Sequence, residues 1–228
     1  MAKAPKSTTR TFSKPVLDQT FTIHSQNAQY VLQRGHSFLI VVRALYSISV
    51  VLRIIAEEAE MDQIEDLVSE RIDAVAKRLG DEHDRLKKLA DAEGGVPVPR
   101  YTHPREVTLQ LSSPQLAQYV QLILLLDQTL MLLDGLWFAG VLTNKQRKDA
   151  THALRRLVYG LGREIIDLER RARESAARAG KSELMQDADG ETRGLVLATG
   201  SLVDEDPAGT AEDLKEMAET ADPPETGD

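Results

Sequence analysis

The sequence predicts a mainly α protein, a helical bundle carrying a short antiparallel β-ribbon, and three observations support this. Two long apolar runs, residues 38–55 and 116–142, call for helices packed at the centre of a core. A charged stretch, 57–92, keeps a narrow apolar stripe at helical spacing. Two short segments instead alternate apolar and polar residues, the period of a half-exposed strand.

In chain order, the opening MAKAPKSTTRTFSKP carries Lys3, Lys6, Arg10 and Lys14 without the apolar region of a secretion signal, so residues 1–19 read as a disordered basic arm. Phe21-Thr22-Ile23-His24 is the first alternating segment. Ser25 can cap a short helix to about Gln33, Gly35 marks a break, and Ser37 can cap a second helix that stays apolar through Ile55. Within 57–92, Val68, Ile72, Val75, Leu79, Leu86 and Leu89 follow heptad spacing with Glu82 in one seam position, giving a coiled-coil-like arm or a peripheral helical hairpin. Gly94-Gly95 ends it, and Pro97, Pro99 and Pro104 make 93–105 an extended connector that no helix crosses.

The second half repeats the order strand, helix, helix more clearly. Val107, Leu109 and Leu111 alternate with Thr108, Gln110 and Ser112. Ser113-Pro114 then forms an N-cap and first-turn pair, opening a leucine-rich helix that ends near Gly140. Thr143 and Gln146 form a capping box for a last helix to about Ala179, which Gly160 and Gly162 should weaken or bend midway. Residues 20–180 thus read as a single helical domain, and 181–228, rich in Asp, Glu, Gly and Pro, as a disordered acidic tail.

The net charge of −8 hides a division. Residues 182–228 hold fourteen Asp/Glu against Arg193 and Lys215, so the first 181 residues carry +4. A basic body with an acidic tail is compatible with a nucleic-acid partner, the tail competing for the same surface, or with a solvated helix face and a solubilising tail.

The absence of cysteine excludes disulfides, Cys-containing zinc sites, iron–sulfur clusters and thiol nucleophiles, and is consistent with a cytoplasmic setting. Histidines 24, 36, 83, 103 and 152 lack metal-binding spacings, and neither a Gly-x-Ser-x-Gly elbow nor a phosphate loop is present. The expectation is a non-enzyme with no catalytic residue, metal, cofactor or small-molecule substrate. The run 116–142 is long enough to span a bilayer, but Asp127 and Asp134 and several glutamines oppose insertion. Those two aspartates share a helix face and could pair with Arg43 or Arg53 across a helical core.

A strand followed by two helices, given twice, is the layout of ribbon-helix-helix modules, whose paired strands enter the DNA major groove. The side chains expected to face the bases are Thr20, Thr22 and His24 in the first unit and Thr108, Gln110 and Ser112 in the second. Lys145, Arg147 and Lys148 crowd the first turn of the last helix, where cations oppose the helix dipole unless an anion such as phosphate approaches the free N–H groups. Lys14 of the basic arm completes the expected DNA-binding set. A plain hairpin contact and a solvated basic face explain the same residues without DNA.

The stretch from His103-Pro104-Arg105-Glu106-Val107 through Leu122-Ile123-Leu124-Leu125-Leu126-Asp127 and Gly140-Val141-Leu142-Thr143 to Ala153-Leu154-Arg155-Arg156 resembles the AcaB-like family of integrating conjugative elements and conjugative plasmids. The resemblance implies a transcriptional regulator of transfer genes that binds double-stranded DNA as a homodimer. Two alternatives stand beside it: a helical scaffold of a conjugative element, using the apolar helices and the 57–92 seam to hold a protein partner, and a membrane-associated transfer component.

Overall fold

The computed structural model describes residues 15–33, 37–52 and 58–178. Residues 1–14 of the basic arm, Lys14 included, the Gly35 break, Arg53 to Ile55 and the acidic tail lie outside the described residues, whereas Leu17 to Gln19, read from the sequence as the end of that arm, belong to β1. The elements are β1 (Leu17–Ile23), α1 (Gln26–Gln33), α2 (Ser37–Tyr46), a π-helical turn (Ser47–Leu52), α3 (Glu58–Ala92), β2 (Arg105–Leu111), α4 (Pro114–Phe138) and α5 (Asn144–Arg178).

The two strands pair with each other, antiparallel and within one chain, in a register that sets Leu17 opposite Leu111, Thr20 opposite Thr108 and Ile23 opposite Arg105. Period-two alternation then sorts the side chains. Phe21, Ile23, Val107, Leu109 and Leu111 are buried against the helices, and the polar set faces away. A lone ribbon is marginal in water, so this buried face holds it to the domain.

The predicted caps form. The Ser113 hydroxyl accepts from the Leu116 N–H at 3.2 Å, with Pro114 in the first turn of α4. Ser25 does the same for the Ala28 N–H at 3.2 Å. At α5 the Thr143 N–H donates to Gln146 Oε1 at 2.9 Å and the Gln146 N–H to Thr143 Oγ1 at 3.3 Å, the reciprocal pair of a capping box. The strand-and-cap portion of the second unit lies 88 residues after that of the first, Thr20 to Thr108 and Ser25 to Ser113. Beyond the caps the units diverge, α1 having 8 residues and α4 having 25.

α4 is the central element. It is long and apolar enough to cross a membrane by length and composition, and 56% of its most apolar window is buried inside the fold. Leu116, Val120, Ile123, Leu126 and Leu136 are fully buried, each contributing roughly 1.5–3 kcal/mol. α3 lies along it. Val68, Ile72, Leu79 and Leu86 of the heptad stripe are buried in the core formed with its neighbours. The stripe expected to form an arm is therefore consumed within the chain, and the scaffold alternative loses the seam it invoked.

α5 runs from Asn144 to Arg178 as one helix, through the two glycines that the sequence marks as weakening or bending it and close to the expected end at about Ala179. Gly162 has a packing role instead: a Cβ there would come within 3.0 Å of Val41 Cγ2, so the small residue permits a close crossing with α2. After Tyr46 the chain widens into the π-helical turn, where Ser47 is fully buried and accepts from Arg173 Nη2 at 3.0 Å while Arg173 also pairs with Glu169. No sequence pattern indicates that turn.

Candidate nucleic-acid interface

The exposed face of the ribbon is built from every second residue of each strand. Asp18, Thr20 and Thr22 supply it from β1, and Glu106, Thr108 and Gln110 from β2. Asp18, Thr20, Glu106 and Thr108 are exposed, Thr22 and Gln110 half-buried. At its centre the Thr20 and Thr108 hydroxyls share a hydrogen bond of 2.9 Å. Asp18 lies opposite Gln110 and Glu106 opposite Thr22.

At the end of β1 the chain turns into α1, and the buried carboxylate of Asp127 holds that turn. Its Oδ2 accepts from the His24 N–H at 2.8 Å and lies 3.1 Å from His24 Nδ1, while Oδ1 accepts from the Ser25 N–H at 2.8 Å. Asp127 is only 2% exposed, so these contacts replace the water it has lost. Asp134, one heptad later, accepts from Tyr101 Oη at 2.7 Å and from Arg147 Nε at 2.6 Å. The arginine partners expected for the two aspartates are thus corrected: Asp127 fastens a backbone turn, and Asp134 joins the connector to α5.

The connector lies along α4. Gly135 is the point of nearest approach, since a Cβ there would meet the Pro97 carbonyl oxygen at 2.7 Å. The Tyr101 ring sits 6.4 Å from that of His24, and Gln29 Nε2 donates to the His103 carbonyl at 2.8 Å. Burial first, and then the hydrogen bond to Asp134, push the Tyr101 phenol above its ordinary range. This chain of contacts, His24 to Tyr101 to Asp134 to Arg147, links the ribbon to the basic start of α5.

There Arg147 is committed twice, to Asp134 and, at 4.5 Å, to the face of Trp137. Lys145 and Lys148 are exposed. Beside them is an open cavity of about 580 Å³, lined by Asn27 of α1 and by residues of α5 that include Arg147, Lys148, Asp149, His152 and Arg155. Arg155 lies over Tyr30 and Tyr159, 5.7 Å from each ring centre. Among the described residues no group of three or more His, Asp or Glu is arranged to hold a metal ion.

The chain is similar to AcaB from uropathogenic E. coli, solved as a selenomethionine crystal, at 40% identity and a TM-score of 0.71 over 75% of this chain and 89% of that one. It belongs to the AcaB-like family. No family model matches the chain, and no curated protein matches it.

In this AcaB-like protein the residues singled out from the sequence occupy different settings. Thr20, Thr22, Thr108 and Gln110 share one ribbon face. His24 lies just beyond β1, bound to Asp127. Ser112 lies past the end of β2, its Oγ covered and without a hydrogen-bond partner. Sequence reasoning passed over Asp18 and Glu106, although both extend the same alternation by one step outward. It also passed over Tyr101 and Trp137, whose roles depend on contacts across 33 residues (Tyr101 to Asp134) and across the α4–α5 turn.

Proposed function

We propose that this AcaB-like protein is a cytoplasmic transcriptional regulator of a mobile genetic element that binds double-stranded DNA, acting by occupancy and not by chemistry. The ribbon would enter the major groove with Thr20, Thr22, Thr108 and Gln110 toward base edges, and Lys145 and Lys148 would meet phosphates at the start of α5, with Lys14 adding to the charge. One observation carries the reading: the two strands, 88 residues apart, pair and turn their hydrogen-bonding side chains outward. Arg147 and His24 would act by holding the ribbon and the helix start in place, because each is tied to an aspartate. Each chain carries a whole ribbon, so a homodimer would bring two to one duplex.

Retention of duplex DNA, measured by fluorescence anisotropy at two salt concentrations, tests this. The expected result is binding that weakens steeply with salt, and Lys145→Ala and Lys148→Ala should each make the logarithmic slope shallower by about 0.9. Joint replacement of Thr20, Thr22, Thr108 and Gln110 by Ala should abolish sequence preference. Failure to retain any duplex at low salt would sink the proposal.

A further inference from the structure

The outward ribbon face has an approximate two-fold symmetry that assigns a role to its two acids. An axis through the midpoint of the Thr20–Thr108 pair relates residue 20+k of β1 to residue 108+k of β2. Asp18 then maps onto Glu106, and Thr22 onto Gln110. Both carboxylates are exposed and stand at diagonally opposite corners, each facing a neutral hydrogen-bonding residue across the ribbon. Four residues of strand separate the corners, about 13 Å along the ribbon.

In a DNA groove a carboxylate is repelled by phosphates and can only accept hydrogen bonds. The major-groove edge offers donors at cytosine N4 and adenine N6, and adenine N6 adjoins the N7 acceptor, which a carboxylate would oppose. Cytosine N4 has no such neighbour on its own edge. We propose that Asp18 and Glu106 are specificity residues, each accepting from the N4 amino group of a cytosine. The two cytosines lie on opposite strands roughly four base pairs apart, since the base-pair rise is about 3.4 Å. The site read by a single chain is therefore an imperfect palindrome, and it departs from symmetry where Thr22 is matched with the longer Gln110, whose amide suits adenine.

This rests on the DNA-binding reading above, and the experiment separates the two. The full-length protein and its Asp18→Asn, Glu106→Gln and doubly substituted variants are used to select duplexes from a randomised pool, and the bound fractions are sequenced. The wild type should enrich two symmetry-related C·G pairs. Asp18→Asn should lose about tenfold of the discrimination at one of them and shift it toward adenine, Glu106→Gln should do so at the other, and the double variant at both. Duplex retention with unchanged preference in both variants, or a uniform rise in affinity for all sequences, overturns the carboxylate assignment and leaves the DNA reading standing. No duplex retained by any variant at low salt overturns both.

Discussion

The two strand-helix-helix units share a register and a cap but differ in what holds them. The second is supported from within: Ser113 caps α4, Pro114 suits its first turn, and α4 is 25 residues long. The first is supported from outside. α1 has 8 residues, below the length at which an isolated helix is stable, and the turn entering it is fastened by Asp127 of the other unit. One unit thus forms a platform, and the other is shaped on it, which explains how a weak sequence signal in residues 20–58 still yields a defined ribbon.

Removing the fastening should break that relation most severely. Asp127→Ala leaves the buried Ser25 N–H and the His24 N–H without their acceptor and should cost about 4 kcal/mol in urea denaturation. Asp127→Asn, keeping one oxygen, should cost clearly less. An equal loss in both variants would mean that one remaining oxygen is not enough and the full carboxylate is required, since Asn preserves the volume.

Gly135→Ala comes next. The added methyl would press on the Pro97 carbonyl, and displacing the connector should cost about 2 kcal/mol. The two caps sharpen the contrast. Ser113→Ala takes away the side-chain acceptor of the Leu116 N–H and should cost about 1 kcal/mol. Ser25→Ala should cost only a few tenths, roughly, because the Ala28 N–H also donates to the Ser25 carbonyl at 3.1 Å and Asp127 still holds the turn. A larger loss at Ser25 than at Ser113 would reverse the assignment of platform and dependent unit.

The smallest effect concerns pH. The Tyr101 phenol titrates above its ordinary value in the folded chain, mainly because it is buried and then because it donates to Asp134. Its contribution to stability is therefore complete below about pH 10, the unfolded value, and declines as the pH rises beyond it. Thermal melts of Tyr101→Phe across pH 8 to 11 should lose that part of the alkaline decline.

Much of the fold was legible because its signals are local. Ser113-Pro114, the Thr143/Gln146 box and the alternation in Val107–Leu111 each declare a boundary within a few residues, and the structure forms all three. The heptad stripe of 57–92 was legible as a stripe, though not its partner, because spacing alone does not say whether a seam meets another chain or α4. The aspartates illustrate the limit: the bonds from Asp127 span more than 100 residues, and nothing near it names His24 or Ser25. Gly162 shows the same limit, since helix propensity carries no information about the close approach of Val41. At the candidate site the central threonines and Gln110 were legible, while Asp18 and Glu106 were hidden by strand ends placed a step or more too short.

Pairing β1 with β2 inside one polypeptide has a consequence for abundance. A ribbon made from two separate molecules exists only after they meet, so at low copy number its amount varies as the square of concentration. Here the encounter is already encoded in the covalent chain, and the number of ribbons in a cell rises in direct proportion to the number of chains, down to a single one.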